Sequence, residues 1–299
     1  MADKLQTYVQ LAQDTARQLT SSYESWTSFL QTAARLYKYS YPDQLLIHAQ
    51  RPDAVACASY NVWNNTMHRY VRRGSKGIAL IDSSGDNVKL HYVFDLSDTG
   101  TGRNSRQPFL WQLRDEHKHA VTEAIKERFD VGDAVNFRAF LEETASILVD
   151  DYWFAHKSEV LDIIEGSALA GYNEDDLSYF FQQAAVVSTS YLLLTRCGMT
   201  PGEGYEKFDF TIVFDFNTPD TVAALGTAVS LISESVLREI ETTIRKYERE
   251  RNAERSQNNE RTDLHHERGL SPAQPDLASA AHDASEQVRQ DAQSLPEGA

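Results

Sequence analysis

The N-terminal third of the chain changes from a helical pattern of apolar residues to a pattern of two strands. Residues 24–38 (ESWTSFLQTAARLYK) repeat apolar side chains at i, i+3 and i+4 spacing, which predicts an amphipathic helix. Pro42 and Asp43 begin a second short helix, DQLLIHAQ, which ends before Pro52. The β-rich runs GIALI and NVKLHYVFDL flank the turn-forming residues SSGD, so they predict a hairpin. Residues 98–108 (DTGTGRNSRQP) predict a loop between domains.

The middle and the C-terminal part of the chain are mainly helical by the same criterion. Apolar residues share one face from 137 to 148, and residues 176–195 are apolar enough for a buried helix. The alternation in FDFTIVFDF, residues 208–216, predicts a short strand or an extended segment. Pro219 suits the first position of a helix, and apolar residues then recur every three or four positions. One long helix is therefore predicted from about 219 to about 251.

These elements predict an α+β fold with three parts. A small helix-plus-hairpin domain covers about 1–105, and a mainly helical acidic domain ending in the long helix covers about 110–252. Residues 253–299 are polar and carry scarcely any large apolar side chains, which predicts a disordered linker or tail.

Charge is distributed unevenly along the 299 residues. The chain carries 29 Lys and Arg against 44 Asp and Glu, a net charge of −15, but residues 1–119 are net +3 and residues 120–235 are net −14. Residues 35–76 contain seven basic and only two acidic side chains. Because phosphate attraction acts within a Debye length of about 8 Å, such a polarised molecule can bind nucleic acid through one face.

Composition and motifs exclude several classes of protein. Two cysteines, Cys57 and Cys197, are too few for a disulfide scaffold or a four-cysteine zinc site. No run approaches 18 consecutive apolar residues, and the N-terminus is polar, so we expect a cytoplasmic protein with no membrane partner. GSKG at 74–77 lacks the spacing of a phosphate-binding loop, and no HExxH helix is present. We therefore predict no catalytic residue, no metal and no cofactor.

One stretch mixes aromatic and basic residues in the manner of proteins that bind single-stranded nucleic acid. Rings stack on bases at roughly 1–3 kcal/mol per base, while cations follow the phosphates. The predicted DNA-binding set is Tyr37, Lys38, Tyr41, Arg51, Tyr60, Trp63, Arg69, Tyr70, Arg72, Arg73 and Lys76. Within it, stacking is assigned to Tyr60, Trp63 and Tyr70. Phosphate contacts are assigned to Arg69, Arg72, Arg73 and Lys76. The alternative is that Trp63 and some tyrosines belong to the core, with the arginines as a solubilising rim.

The same region resembles a known family. The run SYPDQLLIHAQRPDAVACASYNVWNNTMHRYVRRGSKGIALID, followed by LHYVFDLSDT, is similar to the N-terminal domain of ArdC-type antirestriction proteins. The matching elements are Leu45 to Gln50, Trp63, Val71 to Leu80 and Tyr92 to Thr99. The resemblance covers roughly residues 20–100 and implies binding of single-stranded DNA and protection of plasmid DNA that enters a cell during conjugation. ArdC proteins continue into a metalloprotease-like domain, whose HExxH motif this sequence lacks, so no metal or protease role is carried over.

The later part of the chain resembles a second group of proteins. YLLLTRCGMTP and FDFNTPDTVAALGTAVSLISESVLREIETTIR are similar to the region that follows this domain in very large proteins of conjugative and integrative elements. Those proteins carry helicase and DNA-methyltransferase modules further on, so such modules are expected partners beside single-stranded DNA. The expected function is a nonenzymatic single-stranded DNA-binding module of a mobile element, acting in DNA transfer or antirestriction.

Two other functions stay open. The −14 segment could mimic DNA and inhibit a host defence nuclease, which makes a defence protein an alternative partner. The long helix beginning at residue 219 could instead dock a second subunit.

Overall fold

A computed structural model describes residues 2–83, 87–164 and 166–268, with the backbone alone for residues 2, 3 and 257–268. Its seven α-helices in this part of the chain are α1 Ala2–Leu19, α2 Tyr23–Arg35, α3 Tyr41–Gln50, α4 Asp115–Phe129, α5 Phe137–Ile163, α6 Glu174–Arg196 and α7 Pro219–Arg268. Its five strands are β1 Cys57–Ser59, β2 Arg69–Val71, β3 Ile78–Asp82, β4 Lys89–Asp95 and β5 Thr99–Thr101. The predicted fold class is confirmed, since a small sheet region is followed by a mainly helical remainder.

The strands form two small antiparallel sheets. The first has the order β1-β4-β3, and the predicted hairpin is its β3–β4 pair, with Ile78 opposite Val93 and Asp82 opposite Lys89. The second is a two-stranded ribbon of β2 and β5, in which Tyr70 lies opposite Gly100. The ribbon was not predicted, because three-residue strands are too short to show an alternating pattern. The predicted loop 98–108 therefore contains β5.

One hydrophobic core joins the helices of both halves of the chain. α2 buries Trp26, Phe29 and Leu30 and packs on α6, and the indole Nε1 of Trp26 donates to Ser188 Oγ at 2.9 Å. The buried cluster extends from Ala16 in α1 to Ile244 in α7. Residues 1–248 accordingly form one compact unit, and the boundary predicted near 105–110 does not divide two units. The reason is that the apolar face of α2 is completed by α6 rather than by the neighbouring sheet.

The second unit covers Arg249–Ala299. The predicted tail begins at residue 253, but α7 continues as a helix to Arg268. The rest of that tail, residues 269–299, lies outside the described residues.

The segment predicted as a strand at residues 208–216 is instead a turn of 3₁₀-helix, Thr211–Asp215. Its buried residues are Phe210, Val213 and Phe216. That spacing of three matches the three residues per turn of a 3₁₀-helix, whereas a strand would bury every second residue.

α7 contains the one segment of the described residues that is long and apolar enough to cross a membrane by length and composition, Pro219–Ser256, whose most apolar 18-residue window has a mean hydropathy of 1.3. Of its most apolar window, 61% is buried inside the protein. The core helix of a globular protein has the same properties, so this finding is weak evidence for a membrane span.

We expect Gly226→Ala to destabilise the protein. A Cβ at Gly226 in α7 would lie 2.2 Å from Cε2 of Tyr41, whose ring is only 3% exposed and has no room to move. Overpacking of this kind costs roughly 1–3 kcal/mol in the free energy of unfolding. Urea denaturation measures the change. Gly132→Ala is the control, because a Cβ there meets nothing within 4 Å. Alanine is intrinsically a better helix former than glycine, so only the clash with Tyr41 would make Gly226→Ala less stable. A Gly226→Ala variant as stable as the control would therefore contradict this packing.

Candidate nucleic-acid interface

Three of the aromatic residues predicted to bind DNA lie in the protein interior. Tyr37, Tyr41 and Trp63 are 4%, 3% and 2% exposed. Trp63 lies on a π-helical turn, Val62–Thr66, and its indole Nε1 donates to the carbonyl of Phe94 at 2.8 Å. That turn directs the ring inward onto β4, so the assignment of base stacking to Trp63 is corrected to a core role. Tyr37 and Tyr41 are corrected in the same way.

Arg69 is also buried, with 7% exposure. Its Nε donates to Thr99 Oγ1 at 2.9 Å and its Nη1 donates to Gln107 Oε1 at 3.2 Å. Because side chains alternate along a strand, Arg69 points inward from β2 while Tyr70 points outward. The predicted phosphate contact of Arg69 is therefore corrected: its side chain holds β2, β5 and the following loop together.

Lys38 and Arg51 form ion pairs within the protein. Lys38 Nζ lies 2.5 Å from Glu241 Oε2, and Arg51 Nη1 lies 2.7 Å from Asp98 Oδ2. The hydrogen bond to Asp98 raises the pKa of Arg51 above its ordinary value, despite partial burial. Since both charges are already matched by carboxylates, neither side chain is an unpaired cation for DNA.

The other five residues of the predicted DNA-binding set are all exposed to solvent. They are Tyr60, Tyr70, Arg72, Arg73 and Lys76. Tyr60 and Tyr70 are 53% and 55% exposed. Within the described ranges, no carboxylate forms an ion pair with Arg72, Arg73 or Lys76; Arg72 Nη1 donates to the carbonyl of Ser97 at 2.8 Å. These five residues, together with the exposed Arg103 in the loop after β5, are called the ribbon face.

The β2–β5 ribbon holds the tyrosine ring in place. Tyr70 lies opposite Gly100, and a Cβ at that glycine would lie 2.4 Å from Cζ of Tyr70. The ring therefore lies directly over the glycine backbone and keeps its outer side open to solvent. β2 also packs beside the π-helical turn Val62–Thr66 that follows Tyr60. Tyr60 therefore lies two residues before a turn that packs beside the strand of Tyr70.

A tight turn follows β2 and presents three cations. The backbone N–H of Arg72 donates to the carbonyl of Asp98 at 2.8 Å, and that of Ser75 donates to the carbonyl of Arg72 at 3.1 Å. Gly74 has φ +89°, a left-handed conformation that glycine adopts without steric cost. The turn brings Arg72, Arg73 and Lys76 together beside one end of the ribbon.

Arg103 is a cation that the sequence interpretation missed. It is exposed in the loop after β5, and no described carboxylate pairs with it. Ser105 fixes this loop, because its Oγ donates to the carbonyl of His68 at 2.6 Å and accepts the N–H of Gly102 at 2.7 Å. The basic residues of the run GRNSR could have indicated this cation, but the run lies in the segment predicted as a loop between domains. The ribbon face thus has cations at both ends of the ribbon.

A buried carboxylate supports the turn beneath this face. Asp95 accepts the backbone N–H groups of Val55 at 2.8 Å and Ala56 at 3.0 Å, and also that of Ser97. Burial acts to raise the pKa of Asp95, but the hydrogen bonds from Ser97, Ala56 and Val55 outweigh it, so the pKa lies below its ordinary value. Asp95 is therefore a charged anchor between β1 and the segment that carries Asp98.

The Cys57 thiol and His48 do not form a nucleophile and base pair. Burial raises the pKa of the Cys57 thiol to about 12, so the thiol stays protonated near neutral pH and is a poor nucleophile. His48 Nδ1 lies 2.9 Å from Thr32 Oγ1 rather than against a thiol. In the described part of the chain, no three His, Cys, Asp or Glu side chains come together as metal ligands.

No family model, curated protein or solved structure matches the chain. The resemblance to ArdC-type domains consequently stays an expectation from the sequence.

We expect Gly100→Ala to displace the Tyr70 ring and weaken single-stranded DNA binding with little loss of stability. The added Cβ would lie 2.4 Å from the ring, but the ring is half exposed and can swing into solvent. Loss of one stacked base costs roughly 1–3 kcal/mol, about 5- to 150-fold in affinity. Fluorescence anisotropy of a labelled oligonucleotide measures it, with Tyr70→Leu expected to show a similar loss. Tyr179→Leu, a 59% exposed tyrosine of α6, is the control, and an equal loss there would contradict a role for Tyr70.

Proposed function

We propose that this chain is a nonenzymatic module that binds single-stranded DNA and belongs to a protein of a mobile genetic element. The observation that carries the proposal is the ribbon face, where half-exposed tyrosines lie beside four cations that no described carboxylate neutralises. The role in DNA transfer or antirestriction, with helicase or methyltransferase modules as further partners, comes from the resemblance described above.

The chemistry of the ribbon face favours single strands over a duplex. Unpaired bases can lie flat on exposed rings, whereas the bases of a duplex are stacked on each other and hidden. Arg72, Arg73 and Lys76 flank Tyr70 on one side and Arg103 lies beyond the other end of the ribbon. A backbone that passes over Tyr70 would therefore meet cations before and after the stacked base.

The acidic half of the chain restricts where DNA can bind. Residues 120–235 are net −14, and such a charge repels phosphates from the helices it covers. Repulsion by residues 120–235 and attraction by the cations of the ribbon face therefore both favour DNA binding at the ribbon face. The overall charge of −15 is thus compatible with DNA binding through a local basic surface.

The test of the proposal is fluorescence anisotropy of the full chain with labelled single-stranded and duplex oligonucleotides over a series of salt concentrations. With four phosphate contacts, the slope of log K against log salt should be about −3 for single strands. Duplex DNA of the same length should bind more weakly. Absence of binding to either DNA at low salt would overturn the proposal.

A second candidate function is inhibition of a host defence nuclease by DNA mimicry. The observation that favours it is the net charge of −14 over residues 120–235, which has the sign that a DNA mimic presents to a basic nuclease. Salt-sensitive binding to a basic nuclease, together with no DNA binding in the anisotropy experiment, would favour this function over the first.

A further inference from the structure

A cleft of about 600 Å³ lies beside the ribbon, within residues 1–248. One wall consists of residues 35–39 and 55–57, another of Met67 and residues 106–111. The third wall is formed by Arg196 of α6 and by Glu241 and Arg245 of α7. The N–H of Arg106 donates to the carbonyl of Met67 at 2.8 Å, so this cleft begins where the ribbon ends.

The cleft is strongly basic. Its lining contains five cations but one carboxylate, that of Glu241; the cations are Arg35, Lys38, Arg106, Arg196 and Arg245. Glu241 is occupied by Lys38 at 2.5 Å and by Arg245 at 2.9 Å, and it also accepts the hydroxyl of Tyr37. Among the described residues, no carboxylate lies within ion-pair distance of Arg35, Arg106 or Arg196. These three guanidinium groups therefore form no ion pair with a described carboxylate, although Asp53 and Asp95 act on Arg35, and Glu241 on Arg196, at longer range.

Arg196 shows how these charges are held without a carboxylate. Its guanidinium carbon lies 3.4 Å from the centre of the Trp111 ring, and its Nη2 donates to the carbonyl of Trp111 at 3.0 Å. Burial lowers the pKa of Arg196, because the charged form is partly removed from water. Burial has the same effect on Arg35, whose Nε donates to the carbonyl of Ala54 at 2.9 Å. An anion in the cleft would compensate both charges.

Apolar groups lie next to the cations. A neighbouring cavity of about 510 Å³ shares Arg35, Arg196, Trp111, Val55 and Leu110 with the cleft, so these residues form a common wall. Val55 and Leu110 are 41% and 47% exposed. Across the cleft, the guanidinium carbon of Arg245 lies 4.4 Å from the centre of the Phe109 ring. The cleft thus combines anion-binding groups with an exposed apolar wall.

We propose that this cleft binds a nucleotide, with its phosphate at Arg106 and Arg196 and its base against Val55 and Leu110. A volume of about 600 Å³ lies within the range of small-ligand sites. Arginine suits phosphate because its planar fork donates two parallel hydrogen bonds, and guanidinium planes also stack on bases. The ligand can be a free nucleotide or the terminal nucleotide of a strand on the ribbon face; the second source rests on the proposed function.

The test is isothermal titration of the full chain with deoxycytidine monophosphate, with deoxycytidine and with inorganic phosphate. The nucleotide should bind at least roughly tenfold more tightly than either fragment, because only the nucleotide engages both the cations and the apolar wall. Arg106→Gln and Arg196→Gln should each weaken nucleotide binding by roughly tenfold or more. The exposed Lys207→Gln is the control of equal charge change and should leave nucleotide binding unaltered.

The two arginine variants differ in their structural risk. Arg196 packs on Trp111, so its replacement can affect folding, whereas the side chain of Arg106 is exposed in a loop. A folded Arg106→Gln variant with undiminished nucleotide binding would overturn the proposal. Absence of nucleotide binding to the wild-type chain at millimolar concentration would overturn it too, as would inorganic phosphate binding as tightly as the nucleotide.

The source of the nucleotide is distinguished by oligonucleotides with and without a terminal phosphate at the 5′ or the 3′ end. If a terminal phosphate raises the affinity of the wild-type chain and not that of Arg106→Gln, the cleft takes the end of the strand. If terminal phosphates have no effect while the mononucleotide binds, the cleft takes a free nucleotide. Mononucleotide binding without any oligonucleotide binding would overturn the proposed function and leave the cleft assignment standing.

Discussion

Replacing Arg72, Arg73 and Lys76 together by glutamine should weaken single-stranded DNA binding roughly 10- to 100-fold near 0.1 M salt, at about 0.5–1 kcal/mol per phosphate contact. These side chains surround one turn and lack carboxylate partners in the described part of the chain, so no internal ion pair is lost with them. The slope of log K against log salt should become less steep by about 2, because each phosphate contact on a single strand contributes about 0.7. Anisotropy over a salt series measures both quantities.

The matched control for this variant removes three positive charges elsewhere. Lys157, Lys207 and Arg238 are exposed side chains of the C-terminal half, and their glutamine variants change the net charge equally. If DNA responds only to total charge, both triple variants lose the same affinity, and the ribbon face has no special role. The proposed interface requires a loss confined to the first variant, with an unchanged midpoint of urea denaturation.

Trp63→Ala should lower the free energy of unfolding by roughly 3–5 kcal/mol, the usual cost of truncating a buried aromatic side chain. Trp63 is 2% exposed, and its indole donates to the carbonyl of Phe94 on β4. Loss of the ring would leave a cavity between the π-helical turn and the sheet, and it would leave that carbonyl without its donor. Urea denaturation followed by circular dichroism measures the change.

A second variant separates this core role from a role in stacking. Trp63→Phe keeps an aromatic ring and removes the hydrogen bond, so it should cost less than Trp63→Ala in stability. DNA affinity measured on the folded Trp63→Phe protein should equal that of the wild type. A Trp63→Ala protein of wild-type stability that had lost its DNA affinity would show that the ring is a binding surface after all.

The long helices α5, α6 and α7 could be predicted from the sequence because their apolar residues repeat over many turns, whereas α1 was not predicted. α6 and the start of α7 at Pro219 lie where the pattern places them. The short elements could not be predicted in this way. β2 and β5 have three residues each, and the turn Thr211–Asp215 belongs to an aromatic run that also fits alternation. The boundary predicted near residues 105–110 does not divide two units, because the sequence of α2 does not show which helix packs on its apolar face.

The candidate site was predicted only in part, for a related reason. Composition identified the stretch that contains Tyr60, Tyr70 and the turn of Arg72, but it could not tell exposed rings from buried ones. Tyr37 already belonged to the apolar stripe of the first amphipathic helix, which argued for burial. Trp63 depended on a π-helical turn, for which the sequence has no periodic signal. The pairing of Lys38 with Glu241 joins distant parts of the chain and is visible only in the folded structure.

The most direct measurement of the central claim is photochemical crosslinking to single-stranded oligonucleotides that carry halogenated uracils, with the modified peptides identified by mass spectrometry. Such bases crosslink to the aromatic rings on which they stack. We predict crosslinks in the peptides that contain Tyr60 and Tyr70. The yield of both crosslinks should fall as the salt concentration rises, and the crosslink in the Tyr70 peptide should disappear in the Tyr70→Leu variant. Crosslinks confined to the acidic residues 120–235, or none at low salt, would contradict the assignment of the ribbon face as the DNA-binding surface.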